Sequence, residues 1–274
     1  MGSRDLHNYP DFGTRPFYIT SINGKDSIVR NSNSRLQRFS GYEQWDMVQK
    51  LLFQPNKHIS HELNFQFSNS SDVPRYDRLQ DIRNGYLRYA EWYYGPQKRT
   101  MGAYQLQVKK AGFFDQLQFV TSWQDIEESR QTREYQRFDR FDSRREHVQV
   151  GGYTLDVRKV WNENELTLGT DGQFNWVGSR ADRTNISTGV RVPLDSRYPD
   201  GKNNMHNLAI YAQHLRKFNE GKIILNEGLR LQQIWLRSSI ENNTFFQLPF
   251  TSIQQDNLAL TGNLGVVFLP NTKN

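Results

Sequence analysis

The sequence has 274 residues, of which 36% are hydrophobic and 13% aromatic, and its formal net charge is +6. It contains no cysteine, which excludes disulfides, cysteine-type zinc sites and thiol catalysis. The mean hydropathy of −0.81 argues against membrane helices, which need about 20 predominantly apolar residues in a row. It leaves open a membrane β-barrel, in which only alternate strand residues are apolar.

The first 41 residues predict an N-terminal loop and hairpin region. The segments FYITSI and KDSIV flank Asn23–Gly24, a pair that favours the left-handed two-residue turn of a β-hairpin. The opening residues MGSRDLHNYP lack the hydrophobic stretch of a signal peptide. We therefore divide the chain into this region, 1–41, and one main domain, 42–274.

From residue 42 onward the chain predicts a series of antiparallel strands. In the hairpin Thr100–Trp123, apolar positions such as Leu106 and Phe119 alternate strictly with uncharged polar ones, and a period of two is typical of a strand. The same alternation extends over Gln44–Phe53, Ile59–Ser68, His147–Trp161, Glu165–Val177, Leu208–Phe218, Ile223–Trp235 and Leu258–Phe268. In the segment that begins at His147 the apolar phase shifts at Gly151–Gly152, which predicts a β-bulge.

Short polar turns and long charged loops alternate between the predicted strands. The turns are QPNK, KAG, NEN and NEGK, and the loops are Asn69–Gly95, Ile126–Glu146, Arg180–Asn203 and Ile240–Asp256. Outer-membrane barrels have short periplasmic turns and long external loops. Aromatic residues near the strand ends also predict the two interfacial girdles of such a barrel. They are Trp45, Phe53, Phe113, Phe114, Trp161, Trp176, Phe218, Trp235 and Phe268.

A soluble β-rich module that binds a ligand such as a glycan is the alternative from a different class. It requires two packed sheets that enclose a common apolar core. The residues of that core are Leu63, Phe65, Leu106, Phe119, Leu168 and Phe174. The two hypotheses therefore differ in whether these side chains face an enclosed interior or the outside of a single sheet.

The segment SSDVPRYDRLQDIRNGYLRYAEWYYGPQKR, which precedes the hairpin Thr100–Trp123, resembles a segment of TonB-dependent outer-membrane receptors of the Bacteroidetes type. Further pieces follow in the order expected for that family: FFDQ, PLDSRYPDG, YAQ, IILNEGLR and TFFQLPF. The resemblance runs from about residue 41 to the end of the chain, so it covers the whole main domain.

This resemblance implies an all-β antiparallel meander of about nine or ten strands, within a transmembrane barrel of about 22 strands that is filled by a plug. Such receptors reside in the outer membrane of Gram-negative bacteria, in contact with lipid and lipopolysaccharide. They commonly import a ferric siderophore, or alternatively haem or cobalamin, with energy from TonB, ExbB and ExbD. The signal peptide, the plug and the terminal aromatic strand have no counterpart here, so we expect an internal fragment of a receptor.

The loop Asp72–Tyr94 is the predicted ligand-binding surface. Arginine side chains suit the oxygens of an anionic metal chelate, and aromatic rings can stack on its aromatic parts. The candidate residues are Arg75, Tyr76, Arg78, Arg83, Arg88, Tyr89, Trp92, Tyr93 and Tyr94. In the alternative interpretation Trp92–Tyr94 belong to the outer girdle, and the arginines pair with Asp72, Asp77, Asp81 and Glu91.

The sequence shows no constellation for catalysis, cofactor binding or a metal site. No nucleotide-binding loop, zinc-protease motif or nucleophile elbow is present, so we predict no enzyme and no cofactor. No histidines share a metal-binding spacing on one predicted strand. The segment YQRFDRFDSRRE has nearly balanced charge, which argues against nucleic acid and favours a solvated loop tip or contact with lipopolysaccharide phosphates. The oxygen-rich segment DSRYPDG is interpreted as a turn.

Overall fold

The computed structural model describes residues 15–242, 244–245 and 247–269. The opening residues MGSRDLHNYP and most of the final turn LPNTKN therefore lie outside the described part of the chain. Nine long strands form the main sheet: β3 (Gln44–Asn56), β4 (Ile59–Ser70), β9 (Lys98–Ala111), β10 (Phe114–Glu134), β11 (Phe141–Trp161), β12 (Asn164–Thr184), β14 (Asn203–Phe218), β15 (Ile223–Ser239) and β16 (Ser252–Phe268).

Short elements complete the described structure. They are β1 (Phe17–Ile22), β2 (Lys25–Arg30), β5 (Val73–Pro74), α1 (Tyr76–Leu79), β6 (Ile82–Arg83), β7 (Tyr86–Leu87), β8 (Tyr89–Tyr94) and β13 (Arg191–Pro193). The strands β1 and β2 form the predicted hairpin, in which Asn23 and Gly24 have φ values of 49° and 75°. Within the described ranges, no helix has the length and apolar character needed to cross a membrane.

The nine long strands are ordered β3-β4-β9-β10-β11-β12-β14-β15-β16, and each neighbouring pair is antiparallel. Consecutive long strands are therefore neighbours throughout, which is the arrangement of a meander. The predicted all-β antiparallel meander of about nine or ten strands is confirmed. The short strand β8 pairs with β10 beyond the point where β9 begins, β5 pairs with β8, and β13 pairs with β12.

The sheet has one apolar and one polar face. Leu106 lies opposite Phe119, which lies opposite Leu155. One residue along, Gln107 lies opposite Gln118. Directly opposite residues share a face and successive residues alternate, so these two rows define the sides that we call the apolar face and the polar face. The other apolar-face residues include Leu63, Phe65, Leu168, Phe174, Leu229, Leu231, Leu258 and Leu260.

Within the part of the chain that the structure describes, the apolar face has no second layer of structure packed on it. Among the described residues, Trp92 and Ala209 are the buried hydrophobic side chains, whereas Leu63 is 53% exposed and Leu229 63% exposed. The prediction of a soluble two-sheet module with a shared core is therefore wrong: its six core residues lie on one open face of one sheet. A face of this size that remains in water promotes association, whereas lipid is its natural environment in a barrel wall.

Two bands of aromatic side chains border the apolar face. The upper row contains Phe65, Trp123, Phe174 and Trp235 in register, and the Trp176 ring lies tilted against that of Trp123 with 5.5 Å between the ring centroids. The lower band lies at the short turns and consists of Phe113, Trp161, Phe218 and Phe268, whereas Phe114 takes a polar-face position. Along β10 the bands are separated by about ten residues, which is the length of strand that crosses the hydrocarbon at a tilt of about 45°.

Several strands extend further beyond the upper aromatic row than the sequence predicts. The predicted loop Ile126–Glu146 is wrong, because β10 continues to Glu134 and β11 begins at Phe141. The predicted loop that starts at Arg180 begins only after Thr184. In these extensions polar side chains occupy both faces, because water replaces lipid outside the membrane. Their sequence therefore lacks the apolar alternation that identifies a strand.

The β-bulge predicted at Gly151–Gly152 is also absent. Both residues continue the regular pairing, with Trp123 opposite Gly151 and Ser122 opposite Gly152. The apolar phase shifts because Val148 and Val150 lie on the polar face and Gly151 occupies the apolar-face position. A Cβ atom at Gly151 would lie 3.3 Å from the Trp123 ring, so the glycine makes room for that indole.

Candidate ligand-binding site

The predicted loop residues lie in a layer of structure beyond the upper aromatic row, which we call the cap. The cap comprises residues 71–97, the hairpin β1–β2, and the ends of β10, β11 and β12 (129–134, 141–146 and 179–184). The strand β8 positions the loop, because Tyr94 lies opposite Arg130 and Trp92 opposite Thr132 on β10. The register of β10 is unbroken from Gln116 to Arg133, so Arg130 lies on the polar face.

Arg75 is held firmly against the aromatic residues of β8. Its Nε and Nη2 atoms donate to the two carboxylate oxygens of Asp77 at 2.8 and 2.6 Å, and Nη1 donates to the Tyr94 hydroxyl at 2.8 Å. Its guanidinium also lies 4.9 Å from the centre of the Trp92 ring. The hydrogen bonds from Arg75 hold the pKa of Asp77 below its ordinary value, so this pair stays charged at neutral pH.

Arg130 approaches the same two rings, and the sequence did not single it out. Its guanidinium carbon lies 5.5 Å from the centre of Trp92 and 5.4 Å from that of Tyr94. Within the described ranges no carboxylate lies within ion-pair distance of it, and its buried Nε atom has no hydrogen-bond partner. Two guanidinium groups therefore flank one pair of rings, and the charge of Arg130 is not neutralised by a direct ion pair.

The other predicted arginines have carboxylate partners. Arg78 contacts Asp81 at 3.3 Å, and Arg83 and Arg88 both contact Glu134, at 3.3 and 2.8 Å. The pairing of Arg75 and Arg78 with Asp77 and Asp81 follows the alternative interpretation of this loop. Arg88 also covers the Tyr89 ring at 4.6 Å. These contacts place Arg83, Arg88 and Tyr89 in a separate cluster at the edge of the cap.

Tyr93 does not join the ring pair around Arg75, because its partner Gln131 places it on the other face of β8 from Trp92 and Tyr94. Tyr76 begins the short helix α1. Burial, together with the neighbouring charges of Asp72 and Glu91, raises the pKa of Tyr93 to about 12, so its hydroxyl remains protonated at neutral pH. Of the predicted candidates, the structure thus brings together Arg75, Trp92 and Tyr94, and it adds Arg130 to them.

Trp92 does not belong to an aromatic girdle. It is 8% exposed, and its partner Thr132 is nine residues beyond Trp123 along β10. At about 3.3 Å per residue this places Trp92 roughly 30 Å from the upper aromatic row along the strand. The alternative that Trp92–Tyr94 form the outer girdle is therefore wrong. Their surroundings are the polar side chains of the cap rather than lipid.

A buried ion pair joins the hairpin β1–β2 to the rest of the cap. Arg133 donates to Asp26 through two nitrogens at 2.6 and 2.9 Å, and to Glu91 through a third at 2.7 Å. The side chains of Arg133 and Asp26 are only 7% and 3% exposed. A cavity of about 300 Å³ adjoins this pair and is lined by Tyr18, Thr20, Arg38, Trp92 and Arg133, among others.

The segments YQRFDRFDSRRE and DSRYPDG contribute charges to the surface of the cap. Arg137 contacts Asp139 at 2.8 Å and holds the pKa of that carboxyl below its ordinary range. Arg144 connects the two segments, because it contacts Asp195 at 2.8 Å. Asp200 accepts hydrogen bonds from the backbone of 241–242 and so links the segment DSRYPDG to a distant loop, and the interpretation of the segment as a local turn stays a prediction. Contact with lipopolysaccharide stays a prediction.

A second polar cluster lies on the polar face at the level of the apolar band. Arg230 donates to both oxygens of Asp171, and Tyr211 donates to Asp156. Gly169 provides space for the Tyr211 ring, since a Cβ atom there would collide with it. The hydrogen-bonded partners are 55 and 59 residues apart in the chain, so no local sequence pattern indicates these pairings. The one sequence feature that indicates the cluster is Gly169, because a glycine inside a strand often marks a place where another group approaches closely.

The chain is similar in fold to solved structures of transporters and receptors. The copper transporter OprC matches with a TM-score of 0.66 at 13% identity, over 83% of this chain and 34% of its own. The unliganded ferric citrate transporter FecA matches with a TM-score of 0.55 at 16% identity, over 86% of this chain and 35% of its own. The ferric yersiniabactin uptake receptor FyuA from Yersinia pestis matches with a TM-score of 0.57 at 13% identity, over 88% of this chain and 37% of its own.

The chain spans about a third of the length of these structures. No family model and no curated protein matches the sequence. At identities of 13–16% the structural likeness concerns the fold. The predicted fold, an antiparallel meander that forms part of a β-barrel, is confirmed.

Proposed function

We propose that this chain is part of the barrel wall of a TonB-dependent receptor that imports an anionic iron complex of the siderophore type across the outer membrane. The observation that carries the proposal is Arg130, a cation without a carboxylate partner among the described residues, set against Trp92 and Tyr94 on the polar face. Energy from TonB, ExbB and ExbD, which would act through the plug of the complete receptor, belongs to the same proposal.

The two faces of the sheet support this orientation. Lipid accepts Leu106, Phe119 and Leu155, whereas a water-filled lumen accepts the glutamines of the neighbouring row. In a closed barrel the polar face is the inner one, so Arg130 and the rings beside it border the entrance to the lumen. A ligand that enters from outside the cell passes this level before it reaches the membrane.

The chemistry of the ring pair suits a negatively charged chelate. Guanidinium groups bind the carboxylate or catecholate oxygens of such a ligand, and the half-buried Tyr94 ring can stack on its organic part, whereas the buried Trp92 ring supports Arg75 and Arg130 from behind. Two of the structural neighbours are described as transporting ferric complexes, namely ferric citrate and ferric yersiniabactin. Both descriptions are consistent with iron as the cargo here.

Haem is less well supported as the ligand than an iron chelate. The strand histidines His61, His147, His206 and His214 all lie at apolar-face positions. Among the described residues, no histidine on the long strands therefore faces the lumen to ligate a haem iron. Cobalamin is also less well supported. It carries no strong negative charge, so the unpaired Arg130 at the entrance would have no anionic group to bind.

The proposal is tested on the full-length receptor with Arg130→Gln and a matched control, Arg145→Gln. Arg145 is also at the level of the cap but lies on the opposite face, where it is exposed. Binding of ferric citrate and of a ferric tris-catecholate is measured by tryptophan fluorescence. A lost charge-assisted hydrogen bond of about 1.5–3 kcal/mol predicts an affinity loss of roughly 10- to 100-fold for Arg130→Gln.

The control variant is expected to bind as the wild type does. Equal affinity for the iron complexes in wild type and Arg130→Gln would contradict the proposed site. Tight binding of cobalamin or haemin, with no binding of either anionic complex, would contradict the proposed ligand class.

A further inference from the structure

Three metal-ligating side chains converge on the apolar side of the sheet, just beyond the upper aromatic row. His147 on β11 lies directly opposite Glu127 on β10, and Asp125 lies two residues before Glu127 on the same side. One ligand atom from each, an imidazole nitrogen and two carboxylate oxygens, all lie within 4.8 Å of one another. We propose that Asp125, Glu127 and His147 bind a divalent transition-metal ion such as Zn²⁺.

The distances suit a metal after small side-chain movements. The His147 Nε2 atom and the Asp125 Oδ2 atom are 2.8 Å apart. Ligands bound at about 2.0–2.2 Å to tetrahedral zinc lie about 3.3 Å from one another, so only Glu127 has to approach. An imidazole with two carboxylates favours a first-row transition metal over magnesium and calcium, which prefer ligand sets made of oxygen alone.

Glu127 distinguishes this cluster from an ordinary ion pair. His147 and Asp125 form such a pair by themselves, but the Glu127 carboxylate has no hydrogen bond or ion pair to any described residue, although Lys98 lies opposite it on β9. Gln149 donates to the same oxygen of Asp125 at 3.0 Å and thereby fixes the carboxylate. Supporting hydrogen bonds of this kind orient the ligands of metal sites.

The surroundings leave the outer coordination positions open. Gly178 lies opposite His147 on β12 and carries no side chain to cover it. The site borders a cavity of about 900 Å³, which Arg145 and Arg180 also line. Lys98 and these two arginines are the cations that face the cluster, and they weaken the binding of a bare dication. We therefore expect micromolar rather than nanomolar affinity, with water completing the coordination.

The site lies on the other side of the wall from Arg130, so a metal bound there does not touch a ligand in the lumen. It would instead clamp β10 to β11 at the level where both strands leave the apolar band. No single strand carries these three ligands, so the sequence shows no metal-binding spacing. The ligands belong to two strands and meet only through the register of a hairpin whose partners are 20 residues apart at His147 and Glu127.

The test uses the full-length receptor in detergent, with ZnCl₂ titrated in a calorimeter and CoCl₂ followed by its visible absorption. We expect one saturable zinc site that requires His147. Glu127→Gln is expected to weaken zinc binding at least tenfold, and His147→Ala to abolish it together with the cobalt band. His214→Ala is the matched control, because His214 contacts one carboxylate, Glu227, and one amide, Asn164.

Glu127→Gln is nearly isosteric and breaks no observed contact, so its effect does not arise from misfolding. Absence of saturable zinc binding in the wild type would overturn the proposal. So would wild-type affinity in both Glu127→Gln and His147→Ala, or a loss in His214→Ala equal to that in His147→Ala. None of these outcomes depends on the receptor's transport ligand, so they leave the proposed function independently testable.

Discussion

The membrane-level half of the sheet and the cap share the same strands but are stabilised differently. In the lower half, Leu106, Phe119 and Leu155 succeed one another across strands, with amide side chains on the other face. In the cap, buried or half-buried ion pairs such as Arg133–Asp26 connect distant parts of the chain. Contact with lipid thus requires apolar side chains at every second position on one face, whereas the cap is held by a few specific ion pairs.

The largest expected effect concerns the pair that anchors the hairpin β1–β2. In Asp26→Ala the buried guanidinium of Arg133 loses two hydrogen bonds, and removal of one partner of a buried ion pair costs about 3–5 kcal/mol. We expect the hairpin to detach locally, with faster amide hydrogen exchange in β1 and β2 of the full-length receptor. Asp139→Ala, at the exposed pair with Arg137, is the control and should leave that exchange unchanged.

Unchanged protection of the hairpin in Asp26→Ala would show that apolar contacts rather than this ion pair hold it. The comparison between the cap and the membrane-level half would then lose its main support.

A charge on the apolar face is expected to produce the next largest effect. Leu229 lies between the aromatic bands and is 63% exposed, so Leu229→Arg places a cation in the hydrocarbon, at a cost of about 2–4 kcal/mol. Gln232→Arg on the same strand is the matched polar-face control, and it should change stability little. Urea unfolding from lipid vesicles measures both variants. Equal destabilisation of the two would contradict the assignment of the faces.

Within the membrane-level half, the two faces should also differ in their tolerance of added volume. A Cβ atom at Gly169 meets the Tyr211 ring, whereas one at Gly102 meets no atom within 4 Å. We expect Gly169→Ala to destabilise the barrel by about 1–3 kcal/mol through overpacking, and Gly102→Ala to be nearly neutral. The same urea titration distinguishes them, and a larger loss for Gly102→Ala would contradict the polar-face packing.

The smallest effect concerns the pH dependence of the cap. Burial raises the pKa of Glu146 above its ordinary value of 4.5, against the attraction of Arg197. A raised carboxyl pKa means that the folded cap binds the proton more tightly than the unfolded chain, so the cap gains stability as pH falls through the folded pKa toward 4.5. Hydrogen exchange at the ends of β11 and β12 measures this gain, which Glu146→Gln should remove. If Glu146→Gln showed the same increase in cap stability at low pH, a titratable group other than Glu146 would be responsible for it.

The strands between the aromatic bands were predictable because their apolar residues recur with a period of two. The extensions of β10 to Glu134 and of β11 back to Phe141 were not, because strands in water can carry polar side chains on both faces. The prediction of a β-bulge at Gly151 was wrong for a related reason. Glycine at this apolar-face position makes room for Trp123, and in the sequence its missing side chain interrupts the alternation of apolar and polar residues as a bulge would.

The candidate site was predictable in part. Arg75, Trp92 and Tyr94 lie close together in sequence, and the structure brings them together. Arg130 joins them only through the pairing of β8 with β10, which no local pattern indicates. The partners of Arg83 and Arg133 are 51 and 107 residues away, so their neutralisation depends on the tertiary structure.

The orientation of the two faces is the claim on which the remaining conclusions depend, and adjacent residues of one strand test it directly. This chain contributes no cysteine of its own, so single cysteines replace Leu106 and Gln107 in a full-length receptor from which any cysteine outside this segment has been removed. Each variant is labelled with a nitroxide and reconstituted in vesicles. We predict that the label at 106 is relaxed mainly by oxygen dissolved in lipid, and the label at 107 mainly by a water-soluble nickel chelate. The reverse result, or two labels equally accessible to the chelate, would contradict a wall between lipid and a wet lumen.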